Sequence, residues 1–219
     1  MTALVVEWLG RVPYAEALAL QERCAAERRA GAAPDRILLL EHPPVVTLGR
    51  SSREEHLLAS RVELAARGVE VHAIARGGDV TWHGPGQLVG YPILDLAAGG
   101  RRDVHRYLRE LEAGLGEALA GLGIATRTQP GLTGVFAAAG AGRPRKLASI
   151  GVGVRGWITR HGFALNVDPD LSAFDAIVPC GLSQVEMSSV ARELGPARPP
   201  DLWERSRDAV AHAFLRRWT

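Results

Sequence analysis

The chain has 219 residues, 47% of them hydrophobic, with 26 Lys and Arg against 24 Asp and Glu and a formal charge of +2. Basicity this mild, with no run of five or six like charges, argues against a nucleic-acid partner. No apolar stretch approaches the roughly 18 residues of a membrane span.

The N-terminal "MTALVVEWLGRVPY" lacks a basic region and a small-residue cleavage site. A cytoplasmic protein is therefore expected, with its two cysteines, Cys24 and Cys180, both reduced. There is no C-x-x-C and no H-E-x-x-H, so no structural zinc site is expected. The length suits a single domain over residues 1–219.

The predicted elements follow in chain order. "LVVEW" (4–8) reads as a strand. Residues 13–31 read as an amphipathic helix opened by Pro13 and closed by Gly31, with Cys24 on its apolar face. Two apolar runs, 36–42 and 45–49, read as strands broken by a Pro43-Pro44 corner. A short helix (60–68) and an alternating strand (69–75) come next. "RGGDVTWHGPGQ" (76–87) reads as a glycine-rich loop, and "LVGYPILDL" (88–96) as a strand. A long helix (102–123) ends in Gly121 and Gly123. Four successive strands (124–128, 134–139, 146–154 and 157–167) and a terminal helix (200–218) complete the chain. "AAAGAGRPR" (137–145) reads as a hairpin tip. Four strands in a row imply hairpins, so the expected class is α+β: a mixed or antiparallel sheet with helices on one face.

Four features bear on chemistry. "GVGVRG" (151–156) matches G-x-G-x-x-G but continues as strand rather than opening a helix, which argues against a dinucleotide site. Its glycines instead permit close approach of another segment or a ligand. The 76–87 loop bares backbone N–H groups able to cradle an anionic or carbonyl group, or else is a structural turn. His83 and His161 stand in glycine-flanked contexts, and a structural or a functional role is open for each. Cys180 lies in "IVPCGL" (177–182), in turn geometry at the expected end of a strand, as a buried small side chain or as a nucleophile. Lys146 is the only lysine beside 25 arginines. A lysine can give up its proton where an arginine cannot, so a titratable amine is one reading of that oddity.

Together "HPPVVTLGR" (42–50), "RGGDVTWHGPGQLVGYPILDL" (76–96), "KLASIGVGVRGWITRHGFALNV" (146–167) and "IVPCGL" resemble the octanoyl-acyl-carrier-protein:protein octanoyltransferases, in the family's order and spacing. The resemblance spans nearly the whole chain. It implies the biotin/lipoate protein ligase-like α+β fold, a mixed sheet flanked by helices. It implies transfer of an octanoyl group from octanoyl-acyl carrier protein to a lysine of lipoyl domains, in 2-oxoacid dehydrogenase complexes and the glycine cleavage H protein. Cys180 would form the thioester acyl-enzyme and Lys146 would activate it. Substrate contacts would fall on Arg76, Gly77, Gly78, Asp79, Val80, Thr81, Trp82 and His83, on Ser149, Ile150 and Gly151, and on Gly162, Phe163 and Ala164. No ATP, metal or other cofactor is expected. Phe136 departs from the family's tryptophan. Competing readings are an ATP-dependent lipoate or biotin ligase of the same fold, a non-catalytic acyl or carrier-protein binding module, and a cysteine hydrolase based on His83 or His161. Six arginines (Arg101, Arg102, Arg143, Arg145, Arg155 and Arg160) are a candidate docking surface for the acidic carrier.

Overall fold

A computed structural model of the chain describes residues 4–138, 142–181 and 184–219, and only the backbone of Gly99 and Cys180. The expected hairpin tip falls partly outside the described residues.

Eleven strands and five α-helices are present among the described residues. In chain order they are β1 (Leu4–Arg11), α1 (Tyr14–Arg29), β2 (Asp35–Glu41), β3 (Val45–Leu48), α2 (Arg61–Ala66), β4 (Glu70–Ala73), β5 (Val80–His83) and β6 (Gln87–Ile93). Then come α3 (Val104–Gly121), β7 (Thr126–Gln129), β8 (Leu132–Ala137), β9 (Arg145–Arg155), β10 (Ile158–Asn166), β11 (Glu186–Met187), α4 (Val190–Leu194) and α5 (Leu202–Trp218). The large sheet has the order β1-β2-β6-β10-β9-β8-β7, with the two residues of β11 added parallel to the start of β9. β1 and β2 are parallel, and the other neighbours along that path are antiparallel. A second sheet, β4-β3-β5, stands apart. The Pro43-Pro44 corner carries the chain from β2 in one sheet to β3 in the other.

Alternation along β2 explains the layering. Ile37 and Leu39 join the core under α3 and α5, while Leu38 and Leu40 face Ala17, Cys24 and Ala25 of α1. The helices therefore cover both faces of the large sheet, not one. An amphipathic stripe shows that a helix is covered, but not by which face of a sheet. Gly114 lets α5 close on α3, since a Cβ there would stand 2.5 Å from the Phe214 ring. Helix starts follow their sequence signals: Ser60 and Glu63 form a capping box on α2, and the Asp103 side chain accepts from the Arg106 N–H on α3. The run before Cys180 is a 3₁₀ segment, Leu171–Ala176, rather than the expected strand, and Pro179–Gly181 is a further 3₁₀ turn.

Candidate functional site

The second sheet and the large one meet over a cavity of about 220 Å³. The 76–83 segment crosses the glycines of β9. The Gly77 N–H donates to the Val152 carbonyl at 2.9 Å, and a Cβ on Gly151 would lie 3.0 Å from the Gly77 carbonyl oxygen. The glycine spacing in β9 thus serves close approach of another segment, as the strand-like reading of "GVGVRG" required.

A third of the expected loop is strand β5, paired antiparallel with β3. Strand alternation then divides the expected contacts. Asp79, Thr81 and His83 line the cavity, as do Arg76 and Gly78. Val80 and Trp82 turn the other way, into a core with Val46, Leu64 and Phe174. Gly77 serves through its backbone rather than as lining. Ser149, Ile150 and Gly151 of β9 and Gly162, Phe163 and Ala164 of β10 all line the cavity, as does Lys146.

Lys146 is 2% exposed, and its ammonium sits 5.5 Å from the centre of the Phe136 ring, a cation–π distance. Gly134 makes room for it, because a Cβ there would stand 2.6 Å from the Lys146 Cε. The buried carboxylate of Glu112 accepts the Gly134 N–H at 2.9 Å and holds that backbone in place. The Lys146 carbonyl accepts the Ser188 N–H at 2.9 Å. The Cys180 side chain lies outside the described residues, but its turn does not. A Cβ on Gly181 would lie 2.7 Å from Asp79 Oδ2, so the turn abuts a residue that lines the cavity.

Neutral aromatic groups line and back the cavity beside Arg76. His42 Nδ1 lies 2.7 Å from the Val12 carbonyl, which can only accept, so Nδ1 carries the proton and Nε2 accepts the Tyr91 hydroxyl at 2.7 Å. The Gln87 amide donates to Asn166 Oδ1 and the Trp82 carbonyl, so Gln87 Oε1 accepts from His83 Nδ1–H at 2.7 Å. Asn166, the only asparagine, passes this chain on to the Ser188 carbonyl. His83 therefore keeps an unprotonated Nε2. Burial, helped by His42 and Arg76, brings His83 down to about 3. Burial likewise brings His42 and His161 down to about 4 each. Burial pushes Tyr14 up to about 12 and also pushes Tyr91 well above the ordinary phenol value. His161 takes a left-handed backbone (φ 56°), and its N–H is held by the buried Gln21 of α1 at 2.8 Å. Buried Arg76 donates to the Thr47 carbonyl and hydroxyl at 3.0 and 2.8 Å.

Sequence reasoning missed Tyr14, Tyr91, Leu132 and Thr133 as cavity residues. Nothing local distinguishes them from ordinary core or turn positions. Part of the candidate arginine surface is spent internally: Arg145 forks onto Glu193, Arg160 reaches Glu22 and Arg101 reaches Asp35. Among the described residues, no group of three or more His, Cys, Asp or Glu is placed to hold a metal, and no helix is long and apolar enough to cross a membrane.

A mixed large sheet covered on both faces, with a small sheet closing a cavity over it, is the fold of the lipoate protein ligases. A bi-partite lipoate protein ligase from Thermoplasma acidophilum superposes with a TM-score of 0.75 at 15% identity, over 99% of this chain and 83% of that one. A lipoate-protein ligase A bound with ATP gives 0.76 at 16% identity, over 99% and 85%. The chain belongs to the lipoyl protein ligase A/B catalytic domain family, whose sequence profile matches residues 13–215. It is 47% identical to an octanoyltransferase of Myxococcus xanthus, over 98% of this chain but only 59% of that protein's length. An octanoyltransferase of Chloroflexus aurantiacus is 50% identical, over 90% of this chain and 87% of its own. One of Geobacter sulfurreducens is 53% identical, over 86% and 75%.

Proposed function

We propose that this chain is an octanoyltransferase that moves an octanoyl group from octanoyl-acyl carrier protein to a lysine of lipoyl domains, through an S-octanoyl-Cys180 intermediate. The acceptors are those of the 2-oxoacid dehydrogenase complexes and the glycine cleavage H protein. The observation that carries the reading is the burial of the chain's one lysine, at 2% exposure, in a cavity whose lining residue Asp79 touches the Cys180 turn. The relatives named octanoyltransferase supply the group transferred.

The donor is already a thioester, so its acyl group needs no activation by ATP, and neither a nucleotide nor a metal enters the reaction. Free cysteine is only a few per cent thiolate near neutrality. Lys146 shifts that balance by taking the proton or by stabilising the anion. The Cys180 thiolate attacks the thioester carbonyl. The tetrahedral adduct then collapses with loss of the carrier thiolate, which takes up a proton. The lipoyl-domain amine next attacks S-octanoyl-Cys180 and loses a proton to the site. The Cys180 thiolate leaves, and an amide forms. His83 and His161, neutral at pH 7, cannot share the thiolate's charge, which leaves Lys146 and Arg76 as the basic side chains lining the cavity.

Intact mass tests this. Mixed with octanoyl-carrier protein alone, the protein should gain one octanoyl group that hydroxylamine removes. Cys180→Ser should gain none. Acylation only after ATP and free octanoate are added would instead make the chain a ligase.

A further inference from the structure

The mechanism above leaves one close pair unused. His56 Nδ1 lies 2.5 Å from Asp79 Oδ2, and both side chains are largely buried, at 17% and 11% exposure. Oδ1 of the same carboxylate accepts the Val80 N–H at 2.7 Å, so its orientation is fixed from both ends. The pair stands against the turn that carries Cys180. A Cβ on Gly181 would lie 2.7 Å from Asp79 Oδ2 and 3.0 Å from His56 Cε1. The His56 carbonyl also accepts the Val178 N–H at 2.8 Å, and the Ala176 carbonyl accepts the N–H groups of Leu58 and Ala59. The 56–59 segment thus clamps the approach to the turn, and His56 holds it by backbone and side chain together.

A carboxylate one residue from a cysteine opposes formation of its thiolate. A carboxylate bound by an imidazole N–H has its charge drawn off to the other side. Arg76 and Lys146 face the cavity near Asp79, while Arg53, Glu54 and Glu55 of the His56 segment are exposed to solvent. His56 is therefore the group placed to screen this carboxylate on the side away from the cavity.

We propose that His56 is a positioning residue for the turn that carries Cys180: it seats the Val178–Gly181 backbone and holds the Asp79 carboxylate that abuts it. The proposal rests on Cys180 being the nucleophile, but its test does not. The test is the pH profile of iodoacetamide alkylation at Cys180, read by peptide mass on the full-length protein. Cys24 does not interfere, because it is buried on α1 at 2% exposure and burial pushes its thiol up.

His56→Leu leaves the carboxylate unscreened and should move the profile about one unit towards higher pH. Asp79→Asn, isosteric and still an acceptor for the Val80 N–H, should move it towards lower pH. His56→Asn places an amide donor where Nδ1–H stands and should return the profile close to wild type. A purely structural pair would shift His56→Leu and Asp79→Asn in the same direction. That outcome, or no shift in either variant, overturns the proposal. Turnover by Cys180→Ser is a separate measurement: full activity there removes the nucleophile reading without altering what the alkylation profile says of His56.

Discussion

At Lys146 the proposed chemistry has an amine that can give up its proton where an arginine cannot. The side chain is buried between the Phe136 ring and the bare backbone of Gly134, whose φ of 133° no ordinary L-residue adopts readily. An arginine there would keep its proton and bring a broader head into a space that does not admit even a Cβ at 134. Lys146→Arg should therefore lower kcat on the order of 100-fold or more, the usual weight of a general acid or base. Initial rates with octanoyl-carrier protein and a lipoyl domain measure this, and near-normal turnover would reduce the role of Lys146 to charge alone. Gly134→Ala should also cost activity, by pushing the Lys146 Cε aside. A lone lysine among 25 arginines was legible in the sequence. The need for Gly134 and the buried Glu112 beneath it was not, because those three positions lie on α3, β8 and β9 and meet only in the fold.

Among the elements, the β9–β10 hairpin carries the largest share of the cavity wall and also a local strain. Arg155 pairs with Ile158, so Gly156 and Trp157 form a two-residue turn with φ of 58° and 65°. That is the left-handed pair of a primed hairpin turn, which suits glycine and asparagine and costs a bulky L-residue on the order of 1 kcal/mol. Trp157 is half exposed, and its backbone carbonyl, which any residue supplies, accepts the Leu96 N–H. Trp157→Asn should thus stabilise the protein by about 0.5–1 kcal/mol, seen as a higher urea midpoint with an unchanged slope. A lower midpoint would mean that the indole contributes more by contact than the turn loses. The hairpin itself was legible, because two alternating runs flank a glycine. β5 was not, because four strand residues lie inside a segment dominated by glycine and proline. β11 and α4, of two and five residues, are too short to show a period at all.

Across the whole molecule, neutral histidines from segments far apart in the chain gather in and behind the cavity, and this couples the site to stability. His42, His83 and His161 are each held uncharged by burial, at about 4, 3 and 4 against an ordinary 6.5. Once unfolded, each takes up a proton near 6.5 while the folded chain does not, so the unfolded state binds more protons below that pH. Their contribution is complete above about pH 6.5 and is lost as pH falls towards 4, with a slope approaching about 4 kcal/mol per pH unit near pH 5. The sequence could mark His83 and His161 as unusual, but not their protonation. That follows from their burial where one sheet closes over another, which outweighs the Gln87 hydrogen bond that favours the charged form of His83. Urea midpoints at pH 8, 7, 6 and 5 test the linkage. The midpoint should hold between pH 8 and 7 and drop steeply below 6, and His83→Asn or His161→Asn should each flatten the drop by about one proton's worth. A midpoint independent of pH from 7 to 5 would mean that the histidines are charged in the folded protein. A cavity carrying those extra charges would favour a thiolate without Lys146, so the stability curve also bears on why the chain keeps its one lysine.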